Sequence, residues 1–156
     1  MKNWHVQELC ETDLDALCQI ENECFSPPWS SALLAGYLAH ERYRGIGLFV
    51  VDAATETQCL VGFALFSLVL DEAELLQIGV TRADRGRGGG KVLLEAAHER
   101  LKAERISRIM LEVRRSNSAA IVLYRRCGYQ EDGCRKGYYT HPDGREDALL
   151  MSCERF

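Results

Sequence analysis

Apolar and polar positions change period repeatedly along the chain, and each change predicts an element. Trp4 to Leu9 alternates, as a half-buried strand does. From Asp13 to Cys24 the spacing becomes helical, with Leu14, Leu17, Cys18 and Ile20 as the apolar stripe and Thr12 as the predicted N-cap. Phe25-Ser26-Pro27-Pro28 must end that helix, because proline cannot continue it and restricts the residue before it. A short second helix is predicted after Trp29-Ser30, through Leu33, Leu34, Tyr37 and Leu38. Runs rich in Val, Leu and Phe follow, Gly47 to Asp52 and Cys59 to Leu70, split by the polar turn Ala54 to Gln58. Asp71-Glu72 then turns the chain into a third strand, Glu74 to Val80. Three strands with such short connections predict an antiparallel meander.

The helical period returns from Gly88 to about Arg105, with Leu93, Ala97 and Leu101 turned inward and Glu95, Glu99, Arg100 and Lys102 outward. His98 is expected on the solvated face. Ile106 to Val113 is nearly continuous apolar sequence, as a central strand would be. Strand, helix and strand at this spacing predict a right-handed crossover between parallel strands, with ligands bound at their carboxyl ends, where Val80 and Glu112 stand. Asn117 or Ser118 is placed to cap one more helix, whose stop is Gly128 as the C′ residue. Asn117 and Tyr124 lie two turns apart and so share a face of it. Tyr129 to Tyr139 and Asp147 to Cys153 read as two last strands around the turn His141 to Gly144.

Between the third strand and the long helix runs Arg85-Gly86-Arg87-Gly88-Gly89-Gly90-Lys91. Glycines in such number cost stability, and the usual return is close backbone approach to a ligand. A helix beginning directly after them adds unpaired N–H groups and the positive end of its dipole, which together suit phosphate oxygens. Arg85, Arg87 and Lys91 favour an anion there over a plain flexible turn. A Walker-type loop is excluded, since Lys91 is followed by Val92 and Arg85 holds the place of its first glycine. A dinucleotide fingerprint fits the spacing poorly, although Glu112 stands near where a ribose-binding acid is sought.

Composition narrows the classes. The chain has 156 residues, 47% hydrophobic and 27% charged, as expected of one domain spanning 1–156. Its net charge of −4 argues against a nucleic-acid partner, which would want a basic face. No stretch is apolar enough to predict a membrane span or a signal peptide. Seven cysteines, odd in number and without Cys-x-x-Cys, suit free thiols in a reducing cytoplasm better than disulfides or zinc, and the four histidines form no metal-ligand spacing.

Arg85, Gly88 and Gly90 at a strand-to-helix junction, with Leu111-Glu112-Val113-Arg114, Ser116-Asn117, Ala120, Leu123-Tyr124 and Gly128-Tyr129, resemble the GCN5-related N-acetyltransferases (GNAT). Asp71-Glu72-Ala73, Pro28-Trp29-Ser30, Tyr138-Tyr139 and Glu146-Asp147-Ala148 narrow the resemblance to bacterial members that acetylate the N-terminal alanine of a small-subunit ribosomal protein. Gly137 stands where those members usually have Asn, Gly79 where Ala is usual, and Gly86 and Gly89 add to the loop's glycines. The resemblance implies an α/β GNAT fold: a mixed, mostly antiparallel sheet of about seven strands, about four flanking helices, and a parallel crossover pair at the cofactor cleft. It implies acetyl-coenzyme A as cosubstrate, held by Ile78, Gly79, Val80, Gly86, Arg87, Gly88, Gly89, Gly90, Lys91 and Asn117. It implies Glu112 as general base, Tyr124 as proton donor to the leaving sulfur, and Trp29, Tyr138 and Tyr139 as the rim for a peptide N-terminus, with no metal. A lysine or small-molecule amine as acceptor, or a non-catalytic binding role, are the alternatives. Partial burial is expected around Glu112, since an unperturbed glutamate is a weak base near neutrality.

Overall fold

The computed structural model describes residues 3–154 and Phe156. Along the chain run β1 (Trp4–Glu8), α1 (Leu14–Cys24), α2 (Ser31–Ala39), β2 (Tyr43–Val51), β3 (Gln58–Val69), β4 (Glu72–Val80), α3 (Gly89–Ala103), β5 (Arg108–Arg114), α4 (Ser118–Arg126), β6 (Gln130–His141) and β7 (Gly144–Cys153). The strands form one sheet in the order β1-β2-β3-β4-β5-β7-β6, antiparallel throughout except between β4 and β5. This is the mixed sheet with a parallel crossover pair that the sequence predicts.

Two apolar clusters sandwich the sheet. On one face Leu93, Leu94, Ala97 and Leu101 of α3 and Ile121 and Tyr124 of α4 pack against Ala73, Leu75, Ile109, Leu111 and Val113. On the other, Leu17 and Ile20 of α1 and Leu34 of α2 pack against Phe49, Phe63 and Leu65. No helix among the described residues is long and apolar enough to cross a membrane.

Local signals explain most helix ends. Ser30 accepts a hydrogen bond from the Leu33 amide and starts α2 (3.1 Å), and Asn117 does the same for α4 through Ala120 (3.3 Å). Gly128, at φ +95°, closes α4 in the left-handed conformation, with the Tyr129 amide returning to the Tyr124 carbonyl (3.0 Å). The start of α1 differs from expectation. A 3-10 turn, Glu11–Asp13, precedes it, and Asp13 rather than Thr12 takes the exposed Cys10 amide (2.9 Å). Asp13 itself takes the N-cap position of α1, and the Thr12 hydroxyl meets the Cys10 thiol (2.9 Å).

The parallel pair is short. β4 and β5 are registered only from Glu72/Arg108 to Leu75/Leu111. Opposite β3, the register of β4 skips Leu76, so a bulge bends the strand there. Beyond it Gln77–Val80 stay with β3 while Glu112–Arg114 stay with β7, and the carboxyl ends of the two strands part. The functional cleft opens in that gap.

Candidate active site

Helix α3 begins at the gap. Gly86 (φ +74°) and Gly88 (φ +86°) have backbone conformations that other residues reach only with strain. Gly89 and Gly90 are small for a different reason. A Cβ on Gly89 would meet Leu48 Cδ2 at 3.0 Å, and one on Gly90 would meet Leu123 Cδ2 at 2.9 Å, so the helix start is pressed onto β2 and α4. The first helical bond runs from the Val92 amide to the Gly88 carbonyl (3.1 Å), which leaves the Gly89, Gly90 and Lys91 amides ahead of the ladder. They face a cleft of about 650 Å³, walled by the end of α1 (Cys24, Phe25), by Ile78–Val80, by the glycine loop and by one side of α4.

Nine of the ten residues expected to hold the cosubstrate line this cleft: Ile78, Gly79, Val80, Gly86, Gly88, Gly89, Gly90, Lys91 and Asn117. Arg87 is exposed and does not line it. Arg85 does line it but is already committed, its Nε donating to the Val80 carbonyl (2.8 Å) and Nη2 to Cys24 Sγ (3.3 Å). It fastens the loop to the strand and to α1, a use the sequence pattern alone did not suggest. Sequence reasoning also missed Cys24, Phe25, Leu123 and Arg126, whose place on the wall depends on how α1 and α4 lie against the sheet.

Gly79 is explained by α1. A Cβ there would come within 3.2 Å of Cys24 Sγ and 3.3 Å of the Phe25 ring, so the glycine lets the helix close tightly on the strand. At Gly137 the backbone is left-handed (φ +61°), inside an irregular stretch of β6 pinned by the Gly137 amide to Asp147 (2.9 Å). Glycine takes such a conformation without strain, and asparagine tolerates it better than most residues, so this position suits either.

Alternation along β5 sends Ile109, Leu111 and Val113 into the core with α3 and α4, and Glu112 to the opposite face, the one α1 covers. Glu112 is partly enclosed, its side chain 23% exposed, and pairs with Arg135 of β6 (3.4 Å) rather than with its neighbour Arg114. Arg114 lies instead over the Tyr139 ring (4.4 Å to its centroid) and bonds the Thr140 carbonyl (3.0 Å). Tyr124, on α4, is buried in the first cluster, and burial, then the nearby Tyr139, push its phenol well above the usual range. Burial, then the Glu112 carboxylate, raise Tyr139 as well. Tyr138 meets the Tyr139 ring edge-on (4.9 Å between centroids, planes 81° apart) and is 48% exposed. The structure gathers Glu112, Tyr124, Tyr138 and Tyr139 at the parted strand ends. Trp29 comes from the α1–α2 side, its ring packed on Tyr37 (5.2 Å) in the second cluster.

His98 corrects a surface assignment. Its ring is buried between Tyr129 and Phe156, with Nε2 2.9 Å from the Tyr129 hydroxyl, because α3 turns that position toward the chain's last residues, which periodicity could not place.

A sheet parted at its parallel pair, with a glycine-lined helix start in the gap, suits an enzyme that takes a phosphate-bearing cosubstrate. Glu112 and Tyr124 do not line that cleft, and Glu112 opens on a smaller one of about 340 Å³ with Glu74 and Arg135. Residues 14–129 match the acetyltransferase (GNAT) family, and the chain belongs to it. It is 37% identical to the [ribosomal protein bS18]-alanine N-acetyltransferase of Escherichia coli K12 over 94% of this chain and 95% of that protein. The Haemophilus influenzae protein of the same description is 36% identical, over 95% and 97%. The crystal structure of the E. coli ribosomal-protein-S18-alanine N-acetyltransferase superposes with a TM-score of 0.85 at 36% identity, covering 97% of this chain and 93% of that one. Arabidopsis thaliana NAA60, solved with a bisubstrate analogue, shares the fold at 20% identity and a TM-score of 0.83, with 96% and 97% covered. The protein is an N-acetyltransferase and acetyl-coenzyme A is its cosubstrate. The residues present fit that molecule: the positive φ angles and side-chain-free start of α3 leave backbone amides bare for a pyrophosphate, and Leu123, Ala119 and Ala120 offer an apolar wall to its thioester arm.

Proposed function

We propose that the chain transfers the acetyl group of acetyl-coenzyme A to the N-terminal alanine of a small-subunit ribosomal protein, working as one domain over 1–156. The observation that carries this reading is the 37% identity, over nearly the whole of both chains, to a protein described as doing so in E. coli. A ribosomal-protein substrate places the enzyme in the cytoplasm.

The chemistry divides among the gathered residues. A free α-amine, with a pKa near 7.7–8.0, is partly unprotonated at neutrality and asks little of a base. Glu112 accepts the remaining proton, directly or through water, from the face that α1 covers. Backbone amides between Ile78 and Val80, on the edge that β5 has left, hold the acyl oxygen as negative charge develops on it. The Val80 carbonyl plays no part, being taken by Arg85 and Cys24. Gly88 to Lys91 fix the pyrophosphate at the helix start and Asn117 lines the same wall. Tyr124, kept protonated by burial, hydrogen-bonds the sulfur and yields its proton only as the carbon–sulfur bond breaks. Tyr138, Tyr139 and Trp29 border the peptide's entrance from the β6–β7 and α1–α2 sides.

The test is acetyl transfer to two synthetic peptides of the same basic sequence beginning with alanine, one free and one N-terminally blocked. Coenzyme A release with the free peptide alone supports the assignment. Equal release with the blocked peptide overturns it in favour of a lysine acceptor.

A further inference from the structure

Glu21 lies on α1 with no exposed surface, and its charge has no cation beside it among the described residues. A buried carboxylate is expensive, so its bonds repay inspection. Oε1 accepts the Trp29 amide (2.8 Å) and Gln77 Nε2 (3.0 Å). The first comes from the connection between α1 and α2; the second comes from β4, one residue past the bulge where that strand leaves β5. One carboxylate therefore joins the helix, the connection and the strand edge. The Trp29 amide supplies the one hydrogen bond that ties residues 26–29 to the rest of the described chain. Glu21 Oε2 and Gln77 Oε1 remain buried with no donor, which marks the spot as polar beyond what packing needs.

We propose that Glu21 is a positioning residue for the acceptor amine: it holds the α1–α2 connection against the free edge of β4, and so sets the wall along which the amine reaches Glu112. The inference rests on the reading of Glu112 as the base, and the direction follows from the sheet. Glu112 projects on the same face of the sheet as α1, so an amine that enters between β5 and α1 passes the segment that Glu21 fixes. The cosubstrate side is secured separately. Phe25 is held by the Glu21 backbone carbonyl (3.0 Å) and Cys24 by Arg85, neither of which involves the Glu21 carboxylate.

Glu21→Ala removes the acceptor for both N–H groups, whereas Glu21→Gln keeps a carbonyl oxygen that can accept both and adds a donor for an orphan oxygen. Losing hydrogen bonds to a charged group predicts that Glu21→Ala raises the peptide KM by about tenfold or more. The dissociation constant of acetyl-coenzyme A, measured by calorimetry, should stay within about twofold under the same reasoning. Glu21→Gln should restore most of the peptide KM, and amide exchange at Trp29 should be fast in the alanine variant and slow in the glutamine one. Equal weakening of both substrates, or no rescue by glutamine, overturns the proposal. Should the alanine variant fail to fold, Gln77→Leu, which removes one of the two donors, must still raise the peptide KM without moving cosubstrate binding. An unchanged KM there also overturns it. Failure of the proposed function itself would look different: no turnover of the alanine peptide in the unmodified enzyme.

Discussion

Gly88→Ala isolates what the glycine loop contributes. An added methyl would meet nothing within 4 Å, so crowding is absent and only the backbone objects, since φ is +86°. A left-handed non-glycine residue costs about 1–2 kcal/mol. The free protein can shed that strain by letting the loop drift, but cosubstrate binding needs the Gly89, Gly90 and Lys91 amides back in place. The strain therefore falls on binding and should raise the acetyl-coenzyme A dissociation constant roughly 5- to 30-fold. Isothermal calorimetry reads this directly. Gly144→Ala is the control, because Gly144 also has a positive φ (+129°) and open space around it but sits in the β6–β7 turn away from the cleft. It should lower the melting temperature and leave the dissociation constant alone. A Gly88→Ala affinity within twofold of the parent, or an equal loss in Gly144→Ala, would refute the claim that this backbone conformation is kept for the cosubstrate.

Glu112→Gln and Tyr124→Phe should each lower kcat by about 10²-fold or more with acetyl-coenzyme A affinity nearly unchanged; normal kcat in both would demote them to packing. Gly137→Asn should keep activity and Gly137→Val should lose stability, as thermal melts would show, because φ is +61° there; equal melting temperatures would contradict that account. Burial holds His98 below its ordinary value, so between the two pKa values the unfolded chain binds a proton that the fold refuses. Its contribution is full above about pH 6.5 and is lost as pH falls through the lower folded value. The melting-temperature advantage of the parent over His98→Gln should therefore shrink on acidification, and a widening gap would reverse the sign.

What could be read from the sequence was whatever short-range chemistry decides. The cap at Asn117, the stop at Gly128 and the glycine-rich start of α3 each follow from a few adjacent residues, and the structure has them where expected. Hidden features depend on register or on segments far apart in the chain. The bulge at Leu76 decides that β4 leaves β5, yet nothing in Leu75-Leu76-Gln77 announces a skipped residue. Arg85 looked like a phosphate ligand because its neighbours are glycines, but Cys24 and Val80 claim it first. The partner of Glu112 is Arg135 from β6 rather than adjacent Arg114, a pairing that needs β7 between them before it exists. Glu21, in an ordinary helical stripe, becomes notable only once Trp29 and Gln77 are seen to converge on it.

The acceptor is the central claim, and one peptide can test it. A basic peptide beginning with a free alanine and carrying an internal lysine offers both amines to the same cleft. Lysine, with a pKa near 10.4, is almost wholly protonated at neutrality, while the α-amine is not. Tandem mass spectrometry after limited turnover should place a single acetyl group on the alanine nitrogen. Acetyl on the lysine side chain, with the alanine left free, would contradict the account.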